Sequence, residues 1–161
     1  MKRSIFLIAP LVSLVAACAS MSGPVSVADT IGRNPQLSTL DGLVQKAGLS
    51  TMLKDSGPYT VFAPTNDAFK AVPAKTMEDL AKDPEKLKEL LSYHVLPTKI
   101  LSAEMKNGNV KTAQGGNLAL SKAGDFVTVE EAMVQSADIA ASNGVVHTVD
   151  RVLMPPAPVR R

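Results

Sequence analysis

The hydrophobic period of this chain changes part-way along, and that change bounds the fold. Up to about His94, apolar residues recur mostly at helical spacing; from Asn107 onward they come in short runs separated by turn sequences. The turns are Asn107-Gly108-Asn109, Gly115-Gly116-Asn117, Lys122-Ala123-Gly124-Asp125 and Ser142-Asn143-Gly144. Between them lie β-prone runs at 110–113, 118–121, 126–130, 133–135, 138–141 and 145–153. Asn143-Gly144 stands between two such runs and predicts a hairpin. A helical half followed by a strand half implies an α+β domain.

Within the helical half, Leu40, Leu43, Val44 and Ala47 predict a helix with Ser38 or Thr39 as N-cap and Gly48 as its stop. A shorter helix is expected over 49–54. Tyr59-Thr60-Val61-Phe62-Ala63 breaks the pattern: it is β-prone and stopped by Pro64, so it reads as a strand. Thr65, Asn66 and Asp67 can each cap the short helix that carries Ala68, Phe69 and Val72. Another helix is expected over 75–81. Asp83-Pro84 is the clearest helix start, because aspartate caps and proline fits the first turn. Leu87, Leu90, Leu91 and His94 then form one stripe. A turn of helix is expected over 100–105.

The extreme N-terminus reads differently. Met1-Lys2-Arg3 precedes an apolar run from Ile5 to Ala17, ending Leu14-Val15-Ala16-Ala17-Cys18. A basic start, a short apolar stretch and a small-residue cut site describe a secretory signal. The run is shorter than the about 20 residues that span a bilayer. The pattern resembles the lipobox of bacterial lipoproteins, which implies cleavage before Cys18 and acylation of that residue. Three acyl chains would make a durable membrane anchor. The expected organisation is a signal at 1–17, a lipidated tether at 18–26, one domain at 27–155 and a proline-rich tail at 156–161. Ala19, rather than aspartate, follows the cysteine; by the same resemblance this favours the outer membrane in a Gram-negative cell.

Cys18 is the only cysteine, so no disulfide is expected and stability must come from packing. Cleavage would remove Lys2 and Arg3 from the 17 basic residues and leave them equal to the 15 acidic ones. That balance gives no reason to expect nucleic acid as a partner. Tryptophan is absent and aromatic residues are few, which disfavours stacking platforms for sugars or bases.

Three blocks resemble the fasciclin domain family. The first runs from Gly57 through Thr60, Phe62, Ala63, Pro64, Thr65, Asn66 and Asp67 to Phe69. The second is Leu90-Leu91-Ser92-Tyr93-His94-Val95-Leu96. The third runs from Ser142 through Asn143, Gly144, His147 and Asp150 to Pro155. Their order and spacing match across about 27–155. The resemblance implies a wedge-shaped β-sandwich of about seven strands with a layer of short helices. It also implies a binding or adhesion module rather than an enzyme, with a surface protein or matrix polysaccharide as partner. Some relatives resemble carriers of apolar molecules such as carotenoids, and an apolar ligand is the alternative expectation.

Tyr93 and His94 are the candidate partner-binding pair. The alternative for His94 is a buried histidine that locks its helix onto the first block, near Asn66 or Asp67. His147 alternates with Val145, Val149, Arg151 and Leu153, which suggests a half-exposed strand face. Glu130 and Glu131 are adjacent, so on a strand they would face opposite ways. With two histidines and no serine-nucleophile context or phosphate loop, no catalytic, metal or cofactor site is expected. The methionines read as gap-fillers in the core or as the lining of an apolar groove.

Overall fold

In the computed structural model, which describes residues 25–55 and 57–155, six short helices and seven strands form an α+β domain. Cys18, the expected signal, most of the expected tether and the 156–161 tail lie outside the described residues. Among those described, no helix is long and apolar enough to cross a membrane.

The helices are α1 (Val27–Arg33), α2 (Ser38–Lys46), α3 (Ser50–Lys54), α4 (Asn66–Lys70), α5 (Ala74–Lys82) and α6 (Pro84–Tyr93), with a 3₁₀ turn at Pro35–Leu37. The strands are β1 (Tyr59–Pro64), β2 (Val95–Leu96), β3 (Gly108–Lys111), β4 (Asn117–Ala123), β5 (Phe126–Val129), β6 (Ala132–Ala141) and β7 (Gly144–Val149). They form one sheet in the order β2-β1-β7-β6-β5-β4-β3. Every neighbouring pair is antiparallel except β1 and β7, which run parallel from Tyr59 opposite Gly144 to Pro64 opposite Val149.

Two cores hold the domain. One gathers Ile31, Leu37, Leu40, Leu53, Leu87 and Leu91 from the helices onto Val61, Ala63 and Val146. The other gathers Phe62, Tyr93, Leu96, Leu118, Val129 and Val149, so the sheet folds back over its own far strands. Successive β1 residues serve opposite cores because side chains alternate along a strand. Both faces of β1 and β7 are therefore covered, and all six residues of β7 are buried. This corrects the half-exposed face expected for His147. Its neighbours Val145 and Val149 do point one way, but protein covers that side too.

Other departures have local causes. Ser38 and Thr39 lie inside α2, whose N-cap position is Leu37 with no side-chain cap of its own. The two runs expected at 133–135 and 138–141 are one strand, β6, interrupted by two register shifts against β7. Asp138 takes a positive φ of 57° within that irregularity. The turn of helix expected over 100–105 is present as one hydrogen-bonded turn, in which the Leu101 carbonyl accepts the N–H groups of Glu104 and Met105. Glu130 and Glu131 form the β5–β6 turn, not a strand, and Glu130 has a φ of 53°.

The Asn143-Gly144 hairpin forms, but its glycine has a different role from the one expected. Ala141 pairs with Gly144, so the loop is Ser142-Asn143 and Gly144 already belongs to β7. A Cβ on Gly144 would lie 2.0 Å from the Tyr59 carbonyl oxygen. The glycine is required by the approach of β1, not by the turn. Gly57 is tied to the same place, since its Cβ would meet the Asn143 carbonyl oxygen at 2.2 Å.

Candidate functional site

The polar residues of the three sequence blocks sit mostly at joints between elements. His94 caps the C-terminus of α6 and is 1% exposed. Its Nδ1–H donates to the Leu90 carbonyl at 2.8 Å, and its Nε2 accepts the Leu153 N–H at 2.9 Å. Those two partners fix one neutral tautomer. Burial pushes its pKa down to about 4, against the opposing pull of the Leu90 carbonyl. The His94 carbonyl also accepts the Phe62 N–H. The ring is thus locked to the C-terminal segment rather than to Asn66 or Asp67, and only its backbone reaches the first block.

Tyr93 is 2% exposed. Its hydroxyl donates to the Asn117 carbonyl at 3.0 Å and lies 3.4 Å from Glu130 Oε1, which also accepts the Ala119 N–H. Burial, and then the negative charge of Glu130, raise the phenol pKa and keep it neutral. These placements correct the expectation that Tyr93 and His94 face a partner: both side chains complete the core.

His147 is also buried and stacks on Phe62 with ring centroids 5.6 Å apart. Its Nε2–H donates to the Ile100 carbonyl, and its Nδ1 accepts the Asp138 N–H. Burial lowers its pKa, opposed by the Ile100 carbonyl and by Asp138. Burial also works against ionisation of Asp138, but hydrogen bonds from the Ser102 hydroxyl and amide outweigh it and hold that carboxyl below its usual value. Thr60 donates to the Thr98 carbonyl and accepts the Ile100 N–H. Together these contacts clamp the loop after β2 onto the sheet.

Asn66 supplies what α2 lacks. Its Oδ1 accepts the Thr39 N–H at 3.0 Å, and its Nδ2 donates to the Pro35 carbonyl at 2.9 Å. A side chain distant in sequence therefore caps the helix. Thr65 caps α4 by accepting the Ala68 N–H. Asp67 is exposed and pairs with Lys70 at 2.7 Å, a contact of small energetic worth.

Asn143 makes the corresponding joint on the third block. It accepts the Val27 N–H and donates to the carbonyls of Leu53 and Asp55, tying α1 and α3 to the β6–β7 turn. Asp150 exchanges two hydrogen bonds with the backbone of Met133. Phe62, Ala63 and Phe69 are core.

Among the described residues, no buried side-chain nitrogen or oxygen lacks a hydrogen-bond partner. No group of three potential metal ligands occurs among them either. Apart from the exposed Asp67, the signature residues are committed to contacts within the domain. The sequence reading took Glu130 only as one of two adjacent acids on a strand and did not single out Asp138. Both adopt positive φ in the β half, and only Glu130, in a two-acid break between β-prone runs, left a signal that could have been read.

On the domain surface, two shallow depressions share Pro35 and run between the 3₁₀ turn and β6. One reaches Thr65, Asn66, Asp67 and Gln135, the other Val25, Arg33, Ile139 and Ala140. Phe126 and Met133 are exposed elsewhere on the sheet.

The fasciclin domain profile matches residues 35–155. The chain belongs to the fasciclin domain family. Protein sll1483 of Synechocystis sp. is 41% identical over 89% of this chain and 81% of its own length. The cell surface glycolipoprotein MPB83 of Mycobacterium bovis is 38% identical over 81% of this chain, which spans 61% of that relative. Among solved structures, a fasciclin domain pair from the insect cell adhesion molecule fasciclin I superposes with a TM-score of 0.64 at 15% identity. It covers 81% of this chain, which spans 51% of that one. The fasciclin fold accounts for the sheet order and for the helix layer described above.

Proposed function

We propose that this fasciclin domain is a binding module displayed on the outside of a bacterial cell by a lipid on Cys18, and that it works in adhesion to another cell, a matrix or a host. The observation that carries the reading is the internal commitment of the signature residues. His94, His147, Asn66 and Asn143 hold elements together, and among the described residues no buried side-chain nitrogen or oxygen is left without a partner. Elements joined in this way suit recognition, because a pre-organised surface loses less entropy on binding.

The names of two similar proteins support the same reading: one is a cell surface glycolipoprotein, the other comes from a cell adhesion molecule. The Lys2-Arg3 start, the apolar run and Leu14-Val15-Ala16-Ala17-Cys18 support export and lipidation.

The test is paired. Cells carrying Cys18→Ala should fail to incorporate labelled palmitate into the protein and should release it from the membrane fraction. Cells lacking the protein should attach less well to their own kind or to matrix-coated surfaces, and the wild-type chain should restore attachment where Cys18→Ala does not. Undiminished attachment of the deletion strain would count against adhesion.

A further inference from the structure

The sheet leaves one backbone edge open within its own middle. β5 pairs only with the start of β6, at Met133 and Ala132. Beyond that, the β5-facing side of β6 has no strand beside it among the described residues. Most of this stretch is an irregular bulge, a feature that discourages pairing. Past the bulge the strand is regular again, with Ile139, Ala140 and Ala141 in register with β7.

The direction of the Ala140 backbone follows from β7. Tyr59 N–H donates to the Asn143 carbonyl and Thr65 N–H to the Val149 carbonyl, so the odd-numbered carbonyls of β7 face β1. Val145 therefore faces β1, and its antiparallel partner Ala140 turns its own N–H and C=O away from β7. Ser142, two residues on, points to the same side, and its N–H donates to the Val25 carbonyl at 2.8 Å. The chain's own backbone at Val25 already occupies the first rung of this edge, and the next rung is vacant among the described residues.

The ground beside that rung is a groove. Val25, Pro35 and Ile139 supply apolar walls, and Gln135 lies further along the strand. Arg33 stands on the rim, exposed, with no carboxylate within salt-bridge distance among the described residues.

We infer that the Ala140 edge of β6 takes an extended, acidic segment of a partner protein by strand addition. Backbone hydrogen bonds to Ala140 fix its register, alternate side chains enter the groove, and one carboxylate meets Arg33. The inference rests on the reading of this domain as a surface binding module and names where and how it binds.

The probe is a phage library of random dodecapeptides, panned on the immobilised full chain. Enriched peptides should be rich in β-branched residues and carry Asp or Glu. Their synthetic forms should bind about tenfold more weakly to Ala140→Pro, which removes the outward N–H at an exposed edge position where proline is tolerated. Arg33→Glu should weaken them by a similar factor, and a Glu→Lys change in the peptide should restore binding to that variant. An unchanged melting temperature establishes that Ala140→Pro is folded, and Arg33→Glu serves independently on the surface.

No enrichment above bare support, or peptides that bind both variants as well as wild type, overturns the inference. Enrichment only after deletion of residues 19–24 also overturns it, because the occupant is then the chain's own tether. Cells in which both variants attach normally, while the deletion strain does not, sink this edge as the adhesive site and leave the adhesion reading intact.

Discussion

The Nε2 of His94 accepts the backbone N–H of Leu153, fifty-nine residues later, at 2.9 Å. A ring at the end of α6 thereby holds the segment that leaves β7. The bond requires an unprotonated Nε2, because the other nitrogen already donates to Leu90.

Acid should break that bond at a cost in stability. The folded pKa of about 4 lies below the ordinary histidine value of 6.5. The unfolded chain therefore binds the proton first, and stability present above pH 6.5 is lost as pH falls toward 4. The loss should approach about 3 kcal/mol near pH 4. His147 titrates in the same direction. Denaturant melts of the wild type between pH 7 and 4 should show the slope, and His94→Gln should lose a large part of it. An identical slope in that variant would mean that carboxylates alone govern acid sensitivity.

Asn66→Ala should destabilise the domain by about 1–2 kcal/mol, because the Thr39 N–H and the Pro35 carbonyl lose their partners together. Asn66→Asp keeps the acceptor but not the donor and should fall between the two. Urea midpoints measure both.

Two glycines should respond in opposite directions. Gly144→Ala places a methyl 2.0 Å from the Tyr59 carbonyl oxygen, inside the parallel pair. It should cost at least about 3 kcal/mol or prevent folding. Gly42→Ala, at an exposed position of α2 with nothing within 4 Å of the new Cβ, should stabilise by about 1 kcal/mol. Melting temperatures on either side of wild type are the expected result.

Tyr93→Phe should cost about 1 kcal/mol through its hydroxyl bond and leave attachment unchanged. Tyr93→Ala should cost about 3–5 kcal/mol through the core. A tyrosine-to-phenylalanine variant that folds normally but fails to attach would return this residue to the binding surface.

Local chemistry was legible in the sequence, and joints between distant segments were not. Asp83 does cap α6 by accepting the N–H groups of Glu85 and Lys86, with Pro84 in its first turn. Thr65 caps α4 as a neighbour should. The cap of α2 was misplaced because Ser38 and Thr39 were the eligible residues nearby, whereas the atom that serves comes from Asn66 across a tertiary contact. Gly144 was read as a turn residue because Asn-Gly is a turn dipeptide; the second strand that crowds it lies far away in sequence. The exposure of His147 was misjudged for a related reason. Alternation says which way a side chain points, but not whether another layer covers that side. Tyr93 and His94 stood out correctly as unusual, and only their depth showed that what they meet is the rest of this same chain.

The parallel pairing of β1 with β7 has a consequence in time. β7 lies between β1 and β6 in the sheet, yet it is the last strand to be synthesised. A chain emerging from a ribosome or through an export channel can form its helices and the β3–β5 meander early. It cannot join the two halves until residues 144–149 arrive and slot between strands made long before. Pairings so distant in sequence form slowly, so the nascent domain stays open until β7 has emerged. Under the export proposed for this domain, late closure keeps the chain transportable.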